Sequence, residues 1–286
     1  MPGRKPQPLA GRTAVITGAS SGIGRALAER LSAAGCPVAI ADVDGIGLEK
    51  CRASLPGPVL TEVLDVRDAG AVTAFAERVK GWLPRELGAV FNNAGVAVNG
   101  TVLDGNPADD QWLHDINFHG VVNGVRAFLP ILVAQGSGAL VNTSSVYGLL
   151  AVPEHSAYCA SKFAVRGYTE SLRHELAGTG VRAVVVHPGG VKTNIAHNAR
   201  VRRDPAPGGR TREELAQDFV DSAMTTPERA AEIIHRGVDR GGSRILVGPD
   251  AVLIDVLTRL TPTRAQQVIA KVESALTRRA TRKVSS

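Results

Sequence analysis

Thr17-Gly18-Ala19-Ser20-Ser21-Gly22-Ile23-Gly24 follows directly on an apolar run at residues 13–17 and opens at once into a helical pattern. Glycines in such a loop permit positive φ and close backbone approach, and a helix amino terminus offers unpaired N–H groups and a positive dipole end. The stretch from Gly18 through Ser20, Ser21, Gly22 and Ile23 to Gly24 therefore reads as a cradle for the pyrophosphate of a dinucleotide. Its spacing is TGxxxGxG, not GxGxxG, so the mechanism is met with a different arrangement of glycines. Taken alone, the stretch also fits an ordinary glycine-rich strand-to-helix turn.

Outward from this loop, short apolar runs alternate with amphipathic ones. Strands are predicted at 13–17, 37–42, 59–65, 88–93, 139–144, 181–187 and 244–248, and helices at 22–34, 45–54, 69–80, 109–133, 156–177 and 227–240. That alternation predicts one doubly wound, Rossmann-type α/β domain: a seven-stranded parallel sheet with helices on both faces. The 286 residues, 44% hydrophobic, suffice for such a core. The reading divides the chain into a basic amino-terminal tail at 1–12, the Rossmann-type domain at 13–250 and a helical extension at 251–286. The connection at 193–226 is too long for a plain loop and fits a lid or a disordered insert; its place after a strand's carboxyl end favours the lid, helical at 212–223.

The formal charge is +6, but Arg4, Lys5 and Arg12 carry +3 in the first twelve residues, and residues 261–286 hold six Lys/Arg against Glu273 alone. The body between is mildly acidic and aromatics are only 4%, which argues against nucleic acid as a partner. No run approaches the ~18–20 apolar residues that span a bilayer, and MPGRKPQPLAGR lacks a signal peptide's apolar core. Cys36, Cys51 and Cys159 form neither a paired framework nor a metal-binding spacing. The expectation is a cytoplasmic protein without a metal.

Asp42 ends the second strand, 24 residues after Gly18. A carboxylate there accepts from the ribose hydroxyls of NAD and repels the 2′-phosphate of NADP, and neighbouring Ser21 and Val43 carry no opposing charge. NAD is expected over NADP. The alternative is that Asp42 or Asp44 caps the helix at 45, for which Asp44 is better placed.

Tyr158 and Lys162 stand at i and i+4, on one helical face. Ser145 lies thirteen residues before Tyr158, and Asn117 lies in the preceding helix. With TGASSGIG, Asn92-Asn93-Ala94-Gly95, and Pro188-Gly189 followed by Thr193, in this order over about residues 10–250, the chain resembles the short-chain dehydrogenase/reductase family. The resemblance implies an oxidoreductase that binds a nicotinamide cofactor and interconverts alcohols and carbonyls. By motif position Asn117, Ser145, Tyr158 and Lys162 take the places of the family's catalytic tetrad, with Ser144 the near miss.

The same resemblance implies that Lys162 holds the nicotinamide ribose and Asn117 a water leading from Lys162 to solvent. It places Asp65 and Val66 by the adenine, and Asn92 and Ala94 under the adenosine ribose in a turn closed by Gly95. Pro188 and Gly189 then lie beneath the nicotinamide, with Val191 and Thr193 on its carboxamide. A free phenol, with pKa near ~10, is too weak a base at neutral pH. The Lys162 ammonium and the positive nicotinamide ring are therefore expected to lower Tyr158, and Ser145 to donate to the substrate oxygen. Asn117 also fits a helix-bending residue bonded to its own backbone.

Val96, Val98, Val146, Tyr147, Leu149, His155, Gly190 and the lid should line the substrate side. This wall is mostly apolar, favouring a small hydrophobic secondary alcohol or ketone. Lid arginines 200, 202, 203, 210 and 212 read as solvated, though they leave an anionic substrate open. His155 either touches substrate or sits on the surface, and His187 reads as structural. Residues 251–260, apolar on most faces, must bury themselves on the body, on a sister subunit or in lipid. After Pro262, Val268, Ile269, Val272 and Leu276 recur among cations, so residues 262–286 fit subunit packing or peripheral contact with an anionic membrane. The family resemblance implies a homodimer or homotetramer. A non-catalytic dinucleotide sensor or scaffold, or an isomerase or dehydratase, are the other functions this fold allows; an intact Tyr158 and Lys162 favour the oxidoreductase.

Overall fold

Runs this rich in Val, Ile, Ala and Leu leave no face fit for water, so the strands they form must be covered on both sides. The computed structural model describes residues 7–201 and 211–262. In it the runs become β1 (Thr13–Thr17), β2 (Val38–Asp42), β3 (Val59–Val63), β4 (Leu87–Asn92), β5 (Gly138–Thr143), β6 (Val181–Pro188) and β7 (Arg244–Val247). They form one sheet in the order 3-2-1-4-5-6-7, every neighbouring pair parallel. This is the predicted seven-stranded architecture, with strand ends moved by a residue or two.

Alternate residues of each strand go to opposite faces. Ala14, Ile16, Val38, Ile40, Phe91, Val141 and Val186 pack under α1 (Gly22–Ala33) and its neighbour α8 (Pro227–Asp239). Val15, Ala39, Ala41, Val90, Leu140 and Ala183 pack under α3 (Ala69–Trp82), α5 (Gly120–Gln135) and α6 (Ser156–Glu175). Each fully buried Leu, Ile or Phe contributes about 1.5–3 kcal/mol. The continuous helical stretch 107–135 is apolar and long enough to cross a membrane by length and composition alone. Here it lays Val121, Val125, Phe128 and Leu132 on the sheet.

The sequence places one helix at 109–133. The structure has three pieces: α4 (Pro107–His114), a π turn over Asp115–His119, and α5. Such turns insert a residue into a helix and re-aim the side chains around it. Arg200–Val201 forms a small unpredicted pairing with Val98–Asn99. At the amino end, Leu9 is 1% exposed and its N–H donates to Asp239 Oδ1 at 2.9 Å. Residues 7–12 thus belong to the body, and the tail drawn at 1–12 is too long; residues 1–6, with Arg4 and Lys5, lie outside the described residues.

The connection expected to be a lid contains α7 (Arg212–Ser222), while Arg202, Arg203 and Arg210 lie outside the described residues. The extension begins with α9 (Pro249–Leu260), which turns Ala251 and Ile254 inward but leaves Val252, Leu253, Val256, Leu257 and Leu260 exposed. Among the described residues, nothing covers that outer face of α9. The basic amphipathic segment after Pro262 lies outside the described residues.

Candidate active site

The strand order reverses between β1 and β4, and the crevice at their carboxyl ends is where open α/β sheets take ligands. The TGASSGIG loop fills it from one side. Gly18 has φ 69°, and a Cβ there would sit 2.8 Å from the Ala94 Cα; a Cβ on Gly24 would sit 2.0 Å from the Gly18 carbonyl oxygen. Only glycine lets the loop fold back on the helix start. Thr17 Oγ1 accepts from the N–H groups of Asn93 (3.1 Å) and Ala94 (3.2 Å), and Asn93 Nδ2 donates to the Thr17 carbonyl at 3.3 Å. These contacts tie the loop to the Asn92–Gly95 turn.

The helix that follows starts without a side-chain cap, as do α5, α6 and α9 but unlike the other helices. Side chains of Asp44, Asp68, Asn106, Thr211 and Thr226 cap α2 (Gly45–Ala53), α3, α4, α7 and α8, whereas Ser21 makes no side-chain cap on α1. The first-turn N–H groups of α1, next to a loop too tight for a Cβ, fit an anionic pyrophosphate. Thr193 lies over this helix start, since a Cβ on Gly22 would meet its Cγ2 at 3.0 Å. Thr193 is thus brought to the cofactor side, while the partly buried Ile23 packs into the core beneath.

Asp42 stands at the end of β2. Its Oδ2 accepts from Ser20 N at 2.9 Å and its Oδ1 from Asp44 N at 3.0 Å, while Asp44 caps α2 through Gly47 N. The cap therefore falls on Asp44, and each Asp42 oxygen keeps acceptor capacity for a hydroxyl. Asp65 is committed elsewhere: Arg67 grips both its oxygens at 2.5–3.0 Å and holds the carboxyl below its ordinary range.

Two other predicted contacts turn inward. The Val66 side chain is buried against Gly120, and the Asn92 Nδ2 donates to Asn142 Oδ1 at 2.8 Å inside the sheet. Asn92 therefore steadies β4 on β5 and offers no side chain to a ribose. Val191 likewise buries its side chain in the core and pairs with Thr225. Pro188 ends β6, and the Gly189-Gly190 turn after it is held by Asp250 of α9, whose Oδ2 accepts from Gly190 N at 2.6 Å. Sequence reasoning missed Asp250; the Pro249-Asp250 pair at a helix start is the signal it overlooked.

On the other side of the crevice the π turn delivers Asn117, fully buried. Its Oδ1 accepts from Val96 N at 2.8 Å, and its Nδ2 donates to Val96 O at 3.0 Å and Ser161 Oγ at 3.2 Å. It clamps the loop after β4 at Val96 and does not bond its own backbone. A Cβ on Gly95 would lie 3.3 Å from Asn117 Oδ1 and 3.4 Å from Lys162 Nζ, so all three meet. Lys162 Nζ donates to Thr143 O at 3.2 Å and stands 5.5 Å from the Tyr158 ring centroid.

Ser145 starts a tight turn at Val146–Gly148, and its Oγ accepts from Tyr147 N at 3.1 Å, which leaves its O–H to donate outward. Ser144 instead spends its hydroxyl on the Lys162 carbonyl at 2.8 Å. Burial pushes the Tyr158 phenol above its ordinary value, and its hydrogen bond with Ser145 pulls the other way. Burial also pushes Lys162 down to about 8. Among the chain's own groups desolvation outweighs the Ser145 hydrogen bond; the lowering expected from sequence belongs to Lys162 together with the positive nicotinamide ring.

Val96, Val98, Trp112, Leu113, Ala157 and Tyr158 form an apolar cluster beside the phenol. The Tyr147 ring stands edge-on to Tyr158 at 6.0 Å and to His155 at 5.4 Å. His155 Nδ1 lies 2.8 Å from the Pro153 carbonyl, so it reaches the phenol only through Tyr147. Arg200 is not simply solvated: its guanidinium lies 3.6 Å over the Trp112 ring and its Nη1 bonds Asp109 Oδ1 at 2.7 Å.

The sequence profile of the short chain dehydrogenases matches residues 12–204. The chain belongs to the short-chain dehydrogenase/reductase family. The SadH protein of Mycobacterium tuberculosis is 44% identical over 266 residues, covering 91% of this chain and 94% of that one. Levodione reductase of Leifsonia aquatica is 34% identical, covering 72% and 79%. Among solved structures, a short-chain dehydrogenase/reductase from Burkholderia phymatum in complex with NAD is 32% identical, with TM-score 0.78 and coverage of 88% and 94%. The protein is an oxidoreductase of this family, which binds nicotinamide dinucleotides.

Proposed function

We propose that the chain is an NAD(H)-dependent dehydrogenase or reductase that interconverts a hydrophobic secondary alcohol and its ketone, with Tyr158 as the general acid/base. The observation that carries this is the meeting of the Tyr158 phenol, the outward Ser145 hydroxyl and the Lys162 ammonium beside an apolar wall, across from the glycine cradle. Bound in that cradle, the dinucleotide supplies a carbon that gives or accepts hydride and, when oxidised, a positive charge near the phenol.

The chain's residues do the rest. Ser145 donates to the substrate oxygen and stabilises its alkoxide character. Tyr158 takes up or returns the hydroxyl proton, and Lys162 holds the nicotinamide ribose while favouring the phenolate by proximity. Asn117 fixes Val96 and the floor under Lys162. Asp42, with uncharged Ser21 and Val43 about it, favours NAD because a 2′-phosphate would face a carboxylate. The buried free thiols of Cys36, Cys51 and Cys159 suit a reducing, cytoplasmic setting, and we expect a homo-oligomer.

A panel of secondary alcohols and ketones, including steroids, retinoids and acyloins, assayed with NAD and NADP in parallel tests this reading. We expect turnover of apolar members with NAD ahead of NADP. A preference for NADP overturns the Asp42 argument. NADH binding without turnover of any member favours the sensor function.

A further inference from the structure

The ladder between β5 and β6 runs in register as far as Thr143 and Val186, and Ser144 N–H still donates to Val186 O at 2.8 Å. At Ser145 the chain leaves the sheet, and the next rung is made by a side chain. His187, fully buried, places Nδ1 2.9 Å from the Ser145 carbonyl oxygen. A carbonyl only accepts, so Nδ1 carries the ring proton. Nε2 is buried without a hydrogen-bond partner among the described residues. Gly148 N–H donates to the same carbonyl at 3.0 Å, and Tyr147 N–H to the Ser145 Oγ. Three donors thus fix Ser145, two at its carbonyl and one at its hydroxyl oxygen, and of these three His187 alone comes from outside the turn.

We propose that His187 is a positioning residue, whose imidazole replaces the missing ladder rung and thereby aims the Ser145 hydroxyl at the reacting oxygen. The charged groups around it are Arg244 on β7 and Arg166 and Glu170 on α6; Arg166 pairs with Glu170, and Arg244 with Asp255. Burial, with those arginines, pushes His187 down to about 4. The ring is therefore neutral at working pH and serves as a fixed donor.

The proposal rests on the catalytic reading of Ser145, and a double-mutant cycle separates the two. Substrate is the most active alcohol of the panel, and NADH fluorescence reports folding and cofactor binding. His187→Leu removes the donor, whereas His187→Asn puts an amide N–H where Nδ1 stood. We expect His187→Leu to lower kcat by about tenfold with NADH affinity unchanged, and His187→Asn to recover most of it. In a Ser145→Ala background the same Leu change should cost less than about twofold, since its target is gone. Full activity in His187→Leu, an Asn variant no better than Leu, or an equal loss with and without Ser145 overturns the proposal. A Ser145→Ala variant with unaltered kcat overturns the catalytic reading beneath it.

Discussion

The two lips of the crevice are held by different means. The nucleotide lip is backbone and short polar side chains: Thr17 with Asn93 and Ala94, Asp42 on Ser20, and glycines packed against main chain. The substrate lip is stitched from distant stretches by larger groups. Arg200 spans to Trp112 and Asp109, and Gly100 N donates to Glu154 O at 2.9 Å, with Glu154 at φ 61°. A lip made of main chain has few replaceable parts. A lip made of side-chain clasps can be loosened one clasp at a time, so changes there should alter substrate affinity and leave the cofactor untouched.

The strongest way to break that comparison lies at the wall between the lips. Tyr158→Phe should lower kcat by about 10²–10⁴-fold, the range of general acid–base catalysis, with NADH affinity unchanged by fluorescence titration. Comparable turnover in the variant removes Tyr158 from the chemistry. Loss of NADH binding in the variant would show that the two lips are not independent.

Acid should act on the same wall. His187 is held near 4 in the fold against an ordinary 6.5. Between those values the unfolded chain binds more protons than the native one, so the His187 contribution to stability falls as pH drops from about 6.5 and levels off below about 4. At about 1.4 kcal/mol per tenfold in binding, the loss comes to roughly 3–4 kcal/mol. Urea melts of the wild type and His187→Asn across that window check it. The wild type should lose more than the variant, and parallel slopes would mean that His187 is not the group titrating.

Two carboxylates on the nucleotide lip sharpen the contrast on a smaller scale. Asp42→Asn removes the charge that would face a 2′-phosphate, so the kcat/KM ratio of NAD over NADP should fall by about tenfold, or ~1.4 kcal/mol. Asp65→Asn should change that ratio by less than about twofold, because its carboxylate is already held by Arg67 and is solvent-screened. Equal effects would place Asp65 against the cofactor after all.

What could be read from sequence follows the same division. β1, the glycine loop, Asp42 and the Tyr158–Lys162 pair declare themselves through local spacing, because strand and helix periods fix where those side chains go; Ser145 over Ser144 follows only from the family resemblance. The π turn at Asp115–His119 does not, since nothing in DINFH departs from a helical pattern; it became visible only through Asn117 reaching Val96. Asn92 and Val66 were placed by motif position, and burial in the sheet turned their side chains away. Leu9 on Asp239, Asp250 on Gly190 and Arg200 on Trp112 join residues 60 to 230 positions apart, which no local pattern encodes.

Arg200 is the smallest and most direct test of the clasped lip. Its stacking on Trp112 is worth about 0.5–1 kcal/mol at so exposed a site, and the half-exposed pair with Asp109 about 0.2–1 kcal/mol. Removing both in Arg200→Ala should raise the substrate KM by about fivefold, for a loss near 1 kcal/mol, with kcat and NADH affinity little changed. Arg200→Lys keeps the charge but not the planar fork that stacks, so it should fall between. Raising ionic strength should weaken the wild type more than Arg200→Ala, because only the ion pair is screened. If Arg200→Ala instead lowered NADH affinity as much as it raised KM, the pairing of Arg200–Val201 with Val98–Asn99 would be bracing the cofactor crevice too. The lips would then be one structure, since Ala97 O, which accepts from Arg200 N, lies only three residues beyond the Ala94 that closes on Gly18.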